Sequence, residues 1–489
     1  MDRGTPQAAS PTAGDLGTQP DAGAQPRPGT QKTPRPILNL GDAFVRTVRH
    51  FWPDLNDWLD CVPDSRFQPY VTYDKRFLVW WGLSLYLFQL GARRQLDFEL
   101  DCRDSDILTN LNRLAKTKQD TRPVNKTLHH FLSHTGVVPY PWLRRQMLQR
   151  LIRSKALDAA RLHGCFVVAL DATGHLTFAE RHCEHCLVQR HASGHTTYMH
   201  QVLEAKLLGP ADMALSLATE FIENSDDNAM LGADARKQDC ELKALSRLMP
   251  GLRCEYPQLR LCLSGDGLYA CGRTLQLAKD HHCNYVLVFK EGRMSAVWQE
   301  FQTLLKLCPQ NRLEQRTDDG VHQVYRWVHD LSYQDDEGRT WKFHAIVCEE
   351  TVDDQTTTFA WITDLHVSKN TVIEVATKGG RQRWHIENQG FNRQKNSGLN
   401  LEHAFCTDPE LLKAYYYLMQ IAHLILQVFE AGSLLRRLAE ECGRTPWQLF
   451  GGLANLARRL LESFRYRVLS DEAFDPNPSE RIRISLNSS

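Results

Sequence analysis

The sequence predicts an α/β protein: a mixed sheet that carries a β-rich insertion and is flanked by N- and C-terminal helical regions. Three observations support this. Two apolar runs, at 165–170 and 259–265, each end in an aspartate, as strands do when they deliver a side chain to an exposed sheet end. Hairpin and amphipathic-helix patterns lie between and after them, so strands alternate with helices. A long stretch of strand-like alternation then precedes a basic helical segment around Glu387.

Residues 1–36 are rich in Pro, Gly, Ala, Thr and Gln, so a disordered tail without a signal-peptide core is expected. Residues 37–160 read as helical. The run 77–92 is the most apolar, but it contains Ser84 and Gln89 and is short for a membrane span, so a buried helix is expected. Segments 104–115 and 124–132 fit either an ordinary bundle or a helix-turn-helix whose second helix shows Asn125, Lys126 and His129 to DNA.

The core begins at 161–292. After the strand to Asp171 come strands at 198–208 and 213–222 around Gly209-Pro210. A helix at 233–252 stops at Pro250-Gly251, followed by the strand to Asp266, a helix at 269–282 and a strand at 284–289. The stretch 293–370 exceeds any connection and alternates at 324–329, 341–347 and 356–362, which indicates a β-rich insertion domain. Its acidic loops (Asp318, Asp319, Asp335, Asp336, Glu337, Glu349, Glu350) suit a solvated rim. Residues 371–406 complete the core with the Glu387 helix. Residues 407–470 are helical, with cap signals at Asp408-Pro409 and Thr445-Pro446, and 471–489 form a tail.

Arg383, Glu387 and Phe391 are spaced i, i+4, i+8 and share one face of a regular helix. A lone Glu among Arg and Lys is either a structural ion pair or a carboxylate that holds a divalent metal against a polyanion. Asp171 and Asp266, the latter in Gly265-Asp266-Gly267 where glycines permit close backbone approach, favour the metal. Oxygen-only ligation by Asp171, Asp266 and Glu387 suits Mg²⁺ or Mn²⁺. A second candidate centre lies at 182–200, where Cys183-x2-Cys186-x4-His191-x3-His195 has the ligand types and close spacing of a structural Zn²⁺ knuckle; His182, His185 and His200 are alternative ligands.

The order Asp171, Gly-Asp266-Gly, Arg383-Trp-x-Ile-Glu387, Phe391, Lys395 resembles the DDE-class bacterial insertion-sequence transposases with a ribonuclease H-like core. It is most similar to the branch whose third carboxylate lies in a Tyr-Arg-Glu-Lys signature, and the segment from Lys237 to Lys243 is also similar. The resemblance covers roughly residues 160–425. Two positions depart from it: Gly380 stands where the family has Tyr, and Gln394 where it has Lys, with Lys395 one step later.

The resemblance implies a transposase that cleaves element ends and joins them to target DNA. Asp171, Asp266 and Glu387 would be the catalytic residues and would bind two Mg²⁺ ions for a two-metal phosphoryl transfer. Arg383, Arg393 and Lys395 would meet phosphates, and a Trp of the insertion, Trp327 first and Trp341 or Trp361 after it, would stack on a flipped base. It implies double-stranded DNA as the partner, a homodimer on that DNA, an N-terminal DNA-binding region at 37–160, and a bacterial, nucleoid-associated location. Two alternatives use the same residues: a nuclease that cuts without joining, and a DNA-binding protein that has lost catalysis.

Lys plus Arg equals Asp plus Glu at 58 each, so the distribution of charge, not its sum, bears on a polyanionic partner. Basic clusters occur at Arg144-Arg145, Arg150, Arg153 and Lys155, at 378–395, at Arg436-Arg437, at Arg458-Arg459 and at Arg465 and Arg467. Fourteen scattered cysteines read as reduced thiols of a cytoplasmic protein. No Walker-type loop occurs, so ATP is not an expected partner; nor is a membrane, since the most apolar run, 77–92, is short for a span.

Overall fold

The computed structural model describes residues 39–101, 103, 105–224, 238–475 and 480–485. The expected tail at 1–36, Lys237, the start of the expected helix at 233–252 and parts of 471–489 lie outside the described residues. The fold is mixed α/β, built on a ten-stranded sheet.

The strands are β1 Phe166–Phe178, β2 Leu187–Arg190, β3 Thr196–Leu208, β4 Ala214–Ile222, β5 Leu261–Gly265, β6 Asn284–Val288, β7 Arg312–Arg316, β8 His322–Gln334, β9 Thr340–Val352 and β10 Gln355–Thr363. They run in the order β2-β3-β1-β5-β6-β10-β9-β8-β7, with β4 also on β3. β1 is antiparallel to β3, whereas β5 is parallel to β1 and β6 to β5. This is the hairpin-then-crossover order the sequence predicts, with helices Glu241–Glu255 and Gly272–Asp280 preceding β5 and β6.

The insertion strands do not form a separate layer. β10 pairs antiparallel with β6, through Trp361↔Val288, Ile362↔Leu287 and Thr363↔Val286, so β7–β10 extend the core sheet. An open edge on β6 would leave its backbone groups unpaired, and β10 closes it. Helix Glu241–Glu255 also departs from expectation by running through Pro250. The proline lies on the exposed face, where water can satisfy the carbonyl that loses its amide partner, while Leu248, Met249 and Leu252 keep the opposite face buried.

The run at 77–92 forms the buried helix Lys75–Leu87. Helix Pro409–Ala431 is almost wholly buried and packs against Lys75–Leu87, Pro139–Arg153 and β4, joining the N-terminal helices to the sheet. Asp408 caps it by accepting from the Leu411 amide, and Thr445 with Gln448 forms a reciprocal capping box on Pro446–Phe450. Among the described residues, no helix is long and apolar enough to cross a membrane.

Candidate active site

β1 and β5 deliver two carboxylates side by side. Their register pairs Leu170 with Gly265, so Asp171 and Asp266 follow at neighbouring positions past the parallel ladder. Asp171 Oδ1 accepts from the Ala172 amide at 3.0 Å, and Asp266 Oδ1 accepts from the Leu268 amide at 2.8 Å. Gly265 is required by close approach: a Cβ there would lie 2.8 Å from the Tyr269 ring.

The strand expected to end at Asp171 instead continues to Phe178, held by its antiparallel pairing with β3, so only β5 ends here. The segment 372–396 packs on the sheet beside this point. It alternates helical geometries, with π turns at Val375–Gly380 and Ile386–Asn392 and a 3₁₀ turn at Arg381–Trp384 between them. Its path is fixed by three contacts with the sheet. Gly379 and Gly380 lie flat on β6 and β10, where a Cβ would come within 2.6 Å of Val286 and 2.4 Å of Trp361. The buried Ser264 hydroxyl of β5 donates to the Gly379 carbonyl at 2.6 Å. Further along, Gly390 and Phe391 cover Lys206 of β3. A larger residue at position 380 would collide with the Trp361 indole.

Glu387 emerges between these contacts with its side chain 52% exposed. Arg383 Nη2 donates to Glu387 Oε1 at 2.8 Å. Among the described residues, Arg383 Nη1 is buried without a hydrogen-bond partner, which leaves donor capacity unused. Phe391 does not share the Glu387 face; it is buried against Lys206, because the wide π turn changes the angular step between them.

The carboxylates influence one another. Burial first, and the Glu387 charge second, push the Asp171 carboxyl up to about 7, partly opposed by Arg383 and reinforced by Glu241. Glu241, at the start of Glu241–Glu255, accepts from the Tyr269 hydroxyl at 3.1 Å; its carboxyl is raised by burial and by Asp266. The sequence marks the 237–243 segment only as similar to that transposase branch and does not single out Glu241. The signal available was a helix-start glutamate shortly before the second strand. Lys290, exposed beyond the end of β6, lays its stem over Gly267 and adds a cation that the sequence reading also missed.

The donor chemistry of Asp171, Asp266 and Glu387 fits a hard divalent cation, since a bound ion would offset both the burial and the Glu387 charge that raise Asp171. The three do not close into one compact shell. Among the described residues, the one group of three or more ligand-type side chains within 4.8 Å of one another is Cys183, Cys186 and His200. An ion that retains several waters and takes only one or two carboxylates tolerates the wider spacing.

Several expected contacts with DNA are otherwise engaged. Trp327 is only 3% exposed, opposite Ile346 in the insertion strands, so it cannot offer a face to a base. Trp361 is equally buried, and Trp341 donates to Asp335 at 2.9 Å. Asp335 itself is buried and holds its own turn through the Glu337 and Arg339 amides, not a solvated rim. The exposed tryptophan beside the carboxylates is Trp384, at 47%, stacked on His385.

Arg393 forms a two-pronged pair with Glu430, and Lys395 pairs with Glu402 at 2.7 Å. Gln394 is fully buried, bonded to Gln420 and His423, so it faces the core and not solvent. Arg144 is buried too, donating to Ser216 and Thr219. In the N-terminal region, helices Ile107–Ala115 and Asn125–Thr135 form as expected. Asn125 is held by Asp97 through its amide and side chain, whereas Lys126 is exposed.

The cysteines at 183 and 186 do not face His191 and His195. His191 Nε2 pairs with the Thr197 hydroxyl at 2.9 Å, and both histidines are exposed. The hairpin register brings His200 to the cysteines instead. In comparisons with known proteins, no family model matches the chain and no curated protein matches it significantly.

Proposed function

We propose that this chain is a metal-dependent DNA transposase that cleaves element ends and joins them to target DNA. The observation that carries the reading is the placement of Asp171 and Asp266 side by side just past the end of the parallel β1–β5 pairing, with the Glu387 charge acting on Asp171 and Arg383 bonded to Glu387. When bound, Mg²⁺ or Mn²⁺ supplies activation of a nucleophile and stabilisation of the leaving oxygen.

Asp171, Asp266 and Glu387 would hold that charge beside the end of the β1–β5 pairing. Arg383, whose planar fork matches a phosphate, exchanges its carboxylate partner for the scissile phosphate when DNA enters. Lys290 adds a point charge beside the Asp266 turn. Water attacks the phosphorus at the element end, the P–O3′ bond breaks, and the released oxygen takes up a proton. The freed 3′-OH then attacks a phosphorus of target DNA and displaces its 3′ oxygen. No covalent enzyme intermediate is needed.

The test is a purified-protein assay with a pre-cut end duplex, a supercoiled target and Mg²⁺. Joined product is expected. Cleavage of uncut ends without joining would favour a nuclease, and binding without either reaction would favour a DNA-binding protein derived from a transposase.

A further inference from the structure

We propose that Cys183, Cys186 and His200 bind one Zn²⁺, which clips the connection between β1 and β2 onto β3. Three separations carry the assignment. The two sulfurs are 3.7 Å apart, and His200 Nε2 lies 3.3 Å from Cys183 Sγ and 3.4 Å from Cys186 Sγ. A tetrahedral centre with Zn–S of about 2.3 Å and Zn–N of about 2.0–2.1 Å requires edges of about 3.8 Å between sulfurs and about 3.5 Å between sulfur and nitrogen. The observed triangle is that face of the tetrahedron to within about 0.2 Å. A disulfide would bring the sulfurs to about 2.05 Å, so the pair is held at ligand spacing.

The surroundings orient the imidazole for this role. His200 Nδ1 faces Glu223 Oε1 at 3.5 Å, and Glu223 is held in turn by Lys413 Nζ at 2.9 Å. A carboxylate behind the distal nitrogen fixes the tautomer that leaves Nε2 free to ligate. Cys186 and His200 are buried, and Cys183 is half-buried, so the fourth vertex opens on the Cys183 side and takes solvent. The other candidate histidines lie outside the triangle: among the described residues, the ligand atoms within 4.8 Å of one another here are those of Cys183, Cys186 and His200.

The ligand set follows from register. Leu187 pairs with Met199, so the residue before one meets the residue after the other, and Cys186 faces His200. The clip sits on the stretch where β1 continues beyond Asp171, apart from the three carboxylates, and its chemistry is soft where theirs is hard. Its loss would loosen the sheet edge.

Metal analysis of untagged full-length protein from zinc-supplemented cells should find about one Zn²⁺ per chain. Cys183→Ser and His200→Ala should each lose it, and the double variant His191→Ala, His195→Ala should keep it. Cobalt exchanged into the wild-type protein should give thiolate charge-transfer bands and the intense visible bands of a tetrahedral site, a readout that does not depend on any variant folding. Zinc-free wild-type protein, an octahedral cobalt spectrum, or loss of zinc from the His191/His195 double variant would overturn the assignment. None of these readouts depends on DNA cleavage, so the zinc site stands or falls apart from the proposed activity.

Discussion

Arg383 and Glu387, four residues apart, are joined by a 2.8 Å hydrogen bond, and the charges of both act on Asp171. The pair is both the ion pair the sequence permits and the seam at which DNA would enter. If the guanidinium transfers to a phosphate, Arg383→Ala should slow end cleavage by roughly two orders of magnitude and weaken DNA binding only modestly. Arg383→Lys should not restore the rate, because a point charge lacks the fork. Full activity in Arg383→Ala would mark the pair as structural.

Asp171 sets a pH dependence. Its carboxyl sits at about 7 in the fold against an ordinary 3.8, so the folded state favours the protonated form. The associated stability is complete below pH 3.8 and is lost as pH rises through about 7. Metal-free Asp171→Asn should therefore melt a few degrees above the wild type at pH 8, with the gap closing at pH 5. Mg²⁺ should stabilise the wild type at pH 8 and not the variant. Melting curves of both proteins across pH check this.

Glu241 adds a fourth negative charge that raises Asp171. Glu241→Gln should move the acidic limb of the cleavage pH profile to lower pH while leaving the plateau rate nearly unchanged. A collapse of the plateau would instead make Glu241 a ligand.

The two tryptophans separate stacking from packing. Trp384→Ala should slow any step that needs a flipped base, such as hairpin formation, and spare the first nick; stacking contributes about 1–3 kcal/mol. Trp327→Ala should destabilise the fold by about 3–5 kcal/mol, as truncation of a buried aromatic does, and reduce both steps together. Timed product analysis on one end substrate distinguishes them.

Much of the site is legible in the sequence because local chemistry marks it. The apolar run that stops at Gly-Asp266-Gly announces a strand end, and Asp408 and Thr445 announce helix starts; at Asp171 the apolar run ends but the strand does not, because β1 leaves β5 there and continues to Phe178 paired with β3. What long-range pairing decides is not legible. Alternation around Trp327 says that one strand face is buried, but only the pairing with β9 says which. The β10–β6 pairing joins residues more than seventy positions apart and merges the insertion with the core sheet. Spacing favours His191 and His195 as partners of the cysteines, whereas the hairpin register returns His200 to them. Nor does the sequence show that Gly380 lies against Trp361 or that Gln394 is bonded to Gln420 and His423.

The central claim is that Asp171, Asp266 and Glu387 act together on a DNA phosphate through a divalent cation. Single-turnover cleavage of an end duplex in Mg²⁺, measured for wild type, Asp171→Asn, Asp266→Asn and Glu387→Gln with DNA affinity in parallel, tests it most directly. The account predicts that each variant loses at least about a hundred-fold in rate while keeping its DNA affinity. A cutting rate unchanged in any one of the three would contradict it.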